Sequence, residues 1–290
     1  MNTQNNETWL YTISGKKKLL DFNFKEIWRY RDLLFLFVKR DVITLYKQTI
    51  LGPLWYIIQP LFTAVIFTLI FNNLGQIKTG DVVDPFLFNL TGITLWNYFK
   101  ECLTGTSSTF TKNQNIFGKV YFPRVIMPMS VTISNLLKFG IQLLILIGFY
   151  LYFLLKGDNL ILNYKYLLLL PIYVFMMALL GLGLGMLLSA MTTKYRDLTV
   201  LLSFGVQLLM YVSAVPYPLS EAQEKFPPLV SKFVEYNPLA QIIEGFRFIV
   251  IDVGQIEMRK VIFTLVLSIL MFLLGLIVFN RTEKSFIDTV

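Results

Sequence analysis

Between Arg31 and Pro60 the chain passes from charged sequence into sequence that water does not favour. That stretch, RDLLFLFVKRDVITLYKQTILGPLWYIIQP, constrains everything after it. From Leu54 to Phe71 no residue carries a charge. At a rise of about 1.5 Å per residue, such a run is just long enough to cross the hydrocarbon core of a bilayer. Ahead of it, apolar residues recur at Phe24, Ile27, Trp28, Leu34, Phe35, Val38, Val42 and Leu45, while Lys25, Arg29, Asp32, Lys39 and Arg40 fill the gaps. The spacing predicts an amphipathic helix over 24–50, unable to span hydrocarbon but able to lie in the interface with its aromatic face down. Gly52-Pro53 breaks it. Trp55 and Tyr56 follow, where an aromatic belt is expected.

The rest of the chain repeats this signal. Six spans are expected, at about 54–71, 85–110, 129–155, 166–191, 198–215 and 261–280, which makes an all-α integral membrane protein. Residues 1–23 form a polar tail with Lys16-Lys17-Lys18 and no apolar core of the kind a signal peptide needs. Residues 24–290 then form one transmembrane domain. An even number of spans puts both termini on one side. The N-terminal region, the 112–128 and 192–197 loops and the C-terminal tail carry sixteen Lys and Arg. The three opposite loops carry eight, five of them in the single segment 216–260. Short loops dominate the positive-inside rule, so both termini are expected in the cytoplasm. This distribution accounts for the net charge of +8 without a nucleic acid partner.

Only 15 per cent of residues are charged, against about 25 per cent in soluble domains. There is no His, which excludes His-based metal sites, acid/base pairs and triads, and Cys102 is the single cysteine. No GxxxxGK[ST] occurs, so the chain has no P-loop of its own. Gly181, Gly183 and Gly185 superficially resemble a phosphate loop but miss the GxGxxG spacing. Gly181 and Gly185 make a small-xxx-small face suited to close helix packing. No catalytic or metal-binding residue and no resident cofactor is expected.

Three groups of residues are candidates for function. Lys100 and Glu101 are adjacent charges inside a span, and intramembrane charges usually face a cavity or a partner. They either line a translocation path, snorkel to the interface, or pair with a residue such as Lys138 or Asp197. At helical spacing Asn97, Lys100, Glu101 and Thr104 share a face, with Trp96, Tyr98 and Phe99 beside them. Aromatics make up 16 per cent of the chain, and flat rings with polar edges suit sugars. The second group lies in the loop 113–128. Pro123 and Pro128 stiffen it. Phe117, Val120, Tyr121 and Phe122 are expected to give it an apolar surface, with Lys119 and Arg124 at the rim. The third lies in 216–260, which Pro216, Pro218, Pro227, Pro228 and Pro238 divide into short pieces. Two amphipathic stretches, Glu221–Phe233 and Leu239–Ile251, are expected as an external cap or a re-entrant pair.

Four motifs in this order resemble those of type-2 ABC exporter permeases: YKQTILGPLW after the interfacial helix, KVYFPRVIMP, TKYRDL and NPLAQIIEGFR. The resemblance covers about residues 20–280 and is closest to the polysaccharide branch, the O-antigen type above all. It implies a non-enzymatic, channel-forming half-transporter that pairs with a second copy of itself. It also implies two copies of a separate P-loop ATPase, possibly carrying a carbohydrate-binding domain, that bind the ATP and Mg. The implied substrate is an undecaprenyl-linked glycan. Coupling to the ATPase maps to Asn113–Pro128, and an external gate to Pro216–Asp252, where Tyr217 and Asn237 join the prolines. The leader is longer and more polar than in capsule-type permeases, and Lys100-Glu101 has no firm counterpart. Rival readings are a type-2 exporter of teichoic acid, capsule, lipid or drug, and a membrane enzyme acting on polyprenyl lipids. The enzyme reading lacks His and an acidic cluster at a span end.

Overall fold

The computed structural model describes residues 24–47, 52–79, 83–117, 119–120, 122–158, 160–192, 195 and 197–286. The expected tail 1–23, the end of the interfacial stretch, Tyr121, and Lys194 and Arg196 of the TKYRDL motif lie outside the described residues. Among the described residues every regular element is helical, with no strand.

The interfacial stretch forms two helices, α1 (Phe24–Arg29) and α2 (Arg31–Lys47), which join at a turn at Tyr30. Trp28, Phe35 and Leu36 are exposed, while Phe37 is turned inward. α3 (Trp55–Phe67) continues into a π-helical segment, Thr68–Leu74. The amide of Asn89 donates to Asn72 Oδ1 at 2.9 Å and to Thr68 Oγ1 at 3.1 Å, tying that segment to the next helix. This next helix is α4 (Pro85–Ser107). Asp84 caps its start, accepting from the Phe86 N–H at 2.8 Å, and Pro85 stands at the first helical position, where its missing N–H costs nothing.

Two single-turn helices follow, α5 (Thr109–Lys112) and α6 (Gln114–Phe117), and then α7 (Ile126–Lys156), which ends on Gly157 at φ 102°. The left-handed cap favours glycine because it has no Cβ to clash. α8 (Leu169–Thr192) and α9 (Leu198–Val212) precede the proline-rich segment. That segment folds into three helices rather than two: α10 (Leu219–Lys225), α11 (Pro228–Glu235) and α12 (Pro238–Ile251). Pro228 and Pro238 each open a helix, and Asn237 caps α12 by accepting from the Leu239 N–H at 3.0 Å. α13 (Met258–Phe286) closes the chain.

Among the described residues, four helices are long and apolar enough to cross a membrane: Trp55–Leu74, Ile126–Lys156, Leu169–Thr192 and Met258–Thr282. The other two expected spans depart for different reasons. α9 has 15 residues, about 22 Å at 1.5 Å per residue, against a core of about 30 Å. α4 is long enough but less apolar, with buried Asn89, Thr91, Thr94, Thr106 and Ser107. It packs against α3, α7, α8 and α12, so protein rather than lipid surrounds most of it. Several of its hydroxyls bond back to the helix: Thr91 donates to Leu87 O at 2.7 Å, Thr94 to Leu90 O at 2.8 Å and Ser107 to Thr104 O at 2.8 Å.

The glycines of α8 let three helices meet. A Cβ on Gly181 would lie 2.7 Å from Cys102 Cβ, and one on Gly185 would lie 2.6 Å from Thr106 Cβ, both on α4. On the opposite side a Cβ on Gly183 would lie 2.7 Å from the Met271 carbonyl of α13. These glycines serve close packing, as small-xxx-small faces do.

Candidate functional site

The polar residues of α4 open onto a groove. Trp96, Tyr98 and Phe99 point into the main core, where Trp96 meets Phe99 at 5.4 Å between ring centroids and Tyr98 meets Phe139 at 5.3 Å. Asn97, Lys100, Glu101 and Thr104 are half-buried on the remaining side of the helix. Of the seven expected path residues, Asn97, Tyr98, Lys100 and Glu101 line the groove, Trp96 and Phe99 are core rings, and Thr104 is half-buried outside the groove lining. The groove is narrow, with about 30 Å³ of room, and is lined by Asn97, Tyr98, Lys100 and Glu101 of α4, Tyr56 and Gln59 of α3, and Asn135, Lys138, Phe139 and Gln142 of α7.

Of the two pairings expected for Lys100 and Glu101, with Lys138 or with Asp197, the one with Lys138 is found, at Glu101. Lys138 Nζ donates to Glu101 Oε2 at 3.1 Å and lies 5.2 Å from the Tyr56 ring centroid. The Glu101 side chain still keeps 41% of its surface open. An ion pair that is neutralised yet open fits a polar wall better than a lipid-facing surface. Lys100 has no ion-pair or hydrogen-bond partner among the described residues, although its carbonyl accepts from Thr104 Oγ1 at 2.8 Å.

The loop 113–128 is anchored rather than loose. Phe117 and Phe122 are buried, not displayed, because a second core cluster takes them in. Phe117 lies 5.9 Å from Phe110, Phe110 stacks on Phe279 of α13 at 4.5 Å, and Phe122 meets Phe37 of α2 at 5.7 Å. Arg124 is buried too, its guanidinium 5.1 Å from the Phe117 centroid. Lys119 and Val120 face outward. The expected apolar surface is therefore reduced to Val120 among the described residues, and the segment is stiffened by its own packed rings as well as by proline.

In the proline-rich segment, Pro216, Tyr217 and Pro218 are buried, and Pro227 and Pro228 are exposed. The Tyr217 hydroxyl donates to Tyr211 O at 2.6 Å. The Asn237 amide donates to Val212 O at 3.1 Å, so the cap of α12 also grips the end of α9. Pro238 is half-buried.

Two residues in α12 matter more than sequence reasoning suggested. Arg247 is fully buried. Its Nη1 donates to Ala214 O at 2.9 Å and to Tyr217 O at 3.4 Å, and its Nη2 donates to Val215 O. Its guanidinium lies 3.7 Å from the Phe88 ring centroid of α4. Gly92 makes the room: a Cβ there would stand 2.2 Å from Nη2. Ala214, at φ 53°, turns the end of α9 so that successive carbonyls face this one cation. Glu244 lies one helical turn earlier and is only 5% exposed. Burial pushes its carboxyl up to about 7, opposed by Arg247 and by the Leu219 N–H that it accepts. Two ionisable residues three apart in an otherwise apolar helix were the available signal.

Comparison with known proteins bears on this arrangement. The model of the ABC-2 type transporter family matches residues 32–251. An O-antigen export system permease protein RfbA of Klebsiella pneumoniae is 26% identical over 257 residues, which is 89% of this chain and 94% of that protein. A similarly named protein of Myxococcus xanthus is 23% identical over 273 residues, covering 92% of this chain and 98% of its own.

Proposed function

We propose, because this chain belongs to the ABC-2 type transporter family, that it is the channel-forming subunit of an exporter of a lipid-linked, O-antigen-type polysaccharide. The observation that carries this reading is similarity to O-antigen export permeases along nearly the whole chain. Two copies would enclose the path, each working with a separate P-loop ATPase that binds ATP and Mg. The carrier would be undecaprenyl phosphate chemistry, in the bacterial inner membrane. α4 and α9 would complete six crossings with both termini in the cytoplasm. Asn97, Tyr98, Lys100, Glu101 and Thr104 would present the polar wall of the path, supported from behind by Trp96 and Phe99. The helices α10 to α12 would form the external gate.

Deleting the gene is expected to remove the long polysaccharide from the cell surface while lipid-linked glycan accumulates inside. Re-expression of the chain together with its ATPase should restore it. Surface glycan unchanged in the deletion strain would overturn the reading.

Coupling would enter through 113–128. Displacement is transmitted by a stiff element, and the Phe110, Phe117, Phe122 and Phe279 cluster joins this segment to both ends of the fold. Of the expected coupling residues that are described, Val120 and Lys119 face outward and would be available for docking. Val120→Asp is expected to weaken ATPase association roughly tenfold, about 1.4 kcal/mol, by burying a carboxylate in the interface. Co-purification of the ATPase with the variant measures this. Equal recovery and equal export would place the docking surface elsewhere.

A further inference from the structure

A polar cleft of about 310 Å³ lies among α10, α12, the 252–257 turn and the start of α13, away from the α4 groove. Its volume is at the lower end of the range of about 300–1,000 Å³ typical of small-molecule sites, enough for one small polar unit. The buried Glu244 lines its inner wall, and Glu244 Oε2 has no hydrogen-bond partner. A buried carboxylate oxygen left without a donor is costly unless something supplies one. Gly254, at φ 103°, brings the turn against this carboxylate: a Cβ there would be 2.5 Å from Glu244 Oε1.

The charges in the cleft narrow the ligand class. Lys260 Nζ bridges Glu235 at 3.0 Å and Glu257 at 2.8 Å, so one positive charge is shared by two of the three carboxylates and the cleft keeps a net negative charge. Among the described residues no group of three acidic or other metal-ligating side chains is placed to hold a metal ion. An anion would meet unpaired carboxylate and find the single ammonium occupied. The remaining wall is neutral and hydrogen-bonding: Ser220, Gln223 and Gln255. No aromatic ring lines the cleft, so a sugar would be held by its edge and not by its face. Neutral donors and acceptors around one carboxylate acceptor match vicinal hydroxyls.

We propose that this cleft is a docking site for one sugar unit of the exported glycan, held edge-on by Ser220, Gln223 and Gln255 with a hydroxyl donating to Glu244. The proposal rests on the polysaccharide-export reading and adds a second glycan contact to the α4 groove. It assigns the gate segment a recognition role besides closure.

The test uses the full transporter with its ATPase in cells. Ser220→Cys adds an exposed thiol, while native Cys102 is buried and contributes little background. Labelling by N-ethylmaleimide is expected to slow at least about fivefold in cells making the glycan, compared with cells blocked in its synthesis, as mass action requires of a mostly occupied site. Gln223→Ala with Gln255→Ala, both exposed and outside the core, is expected to lower export about tenfold, the factor lost with two ordinary hydrogen bonds. Equal labelling in both strains, with full export by the double variant, overturns the cleft while leaving the export reading intact. Protection that follows added calcium instead of glycan synthesis overturns it as well. Failure of the deletion strain to lose surface glycan removes both readings together.

Discussion

Arg247→Met is expected to remove most of the folded protein from the membrane. Methionine has similar length and no donors. It would leave the carbonyls of Ala214, Val215 and Tyr217 facing an apolar side chain. Each buried unsatisfied group costs about 1–3 kcal/mol, and total stability of a domain is about 5–15 kcal/mol. The loss is also geometric. Arg247 ties α12 to the turn after α9 and to Phe88 of α4, while α9 has little other packing: Val200, Leu201, Phe204 and Leu208 are exposed. Arg247→Lys should rescue poorly, since one ammonium cannot reproduce the fork of the guanidinium. Gly92→Ala should give a similar phenotype, because its Cβ enters the space of Nη2. Combining Gly92→Ala with Arg247→Met should cost less than the two effects added, as expected for residues in direct contact. Protein level in membranes and a monodisperse peak in detergent are the measurements. Normal recovery of Arg247→Met would mean that the carbonyls are satisfied some other way.

This clamp shows where sequence reasoning stops. A 14-residue helix with one Glu and one Arg has the pattern of a surface amphipathic stretch. Its burial depends on carbonyls about thirty residues earlier and on a glycine in another helix, and no local periodicity encodes either. Phe117 and Phe122 follow the same logic. Apolar side chains in a short loop suit an internal core or a partner's cleft equally well, and Phe37 and Phe279, from opposite ends of the chain, decide for the core. α8 was legible because its signals are local: 166–191 was expected and Leu169–Thr192 is found. The packing role of Gly181 and Gly185 was legible for the same reason. α4 was legible as a helix with a polar face, but Thr91, Thr94 and Asn89 lowered its apolarity because protein surrounds it.

The second large effect is expected at the groove. Lys138→Met leaves Glu101 charged with no partner among the described residues, and Glu101→Gln leaves Lys138 in the same state. Breaking a fully buried pair costs about 3–5 kcal/mol, but the open side of Glu101 lets water screen part of that loss. A loss of export of about tenfold for each single variant is therefore expected, roughly 1.4 kcal/mol. The reversal Glu101→Lys with Lys138→Glu keeps the pair and exchanges its ends between α4 and α7. Two roles then separate. If the pair only holds the helices together, reversal should return export to near the original rate. If the groove guides substrate by the position of its charges, reversal should restore protein level and ATPase association but not export, because Lys100 would then face a second cation beside it instead of Glu101. The path reading predicts the latter outcome. Surface glycan measured at matched protein level distinguishes the two, and full export by the reversed pair would reduce Glu101 and Lys138 to packing.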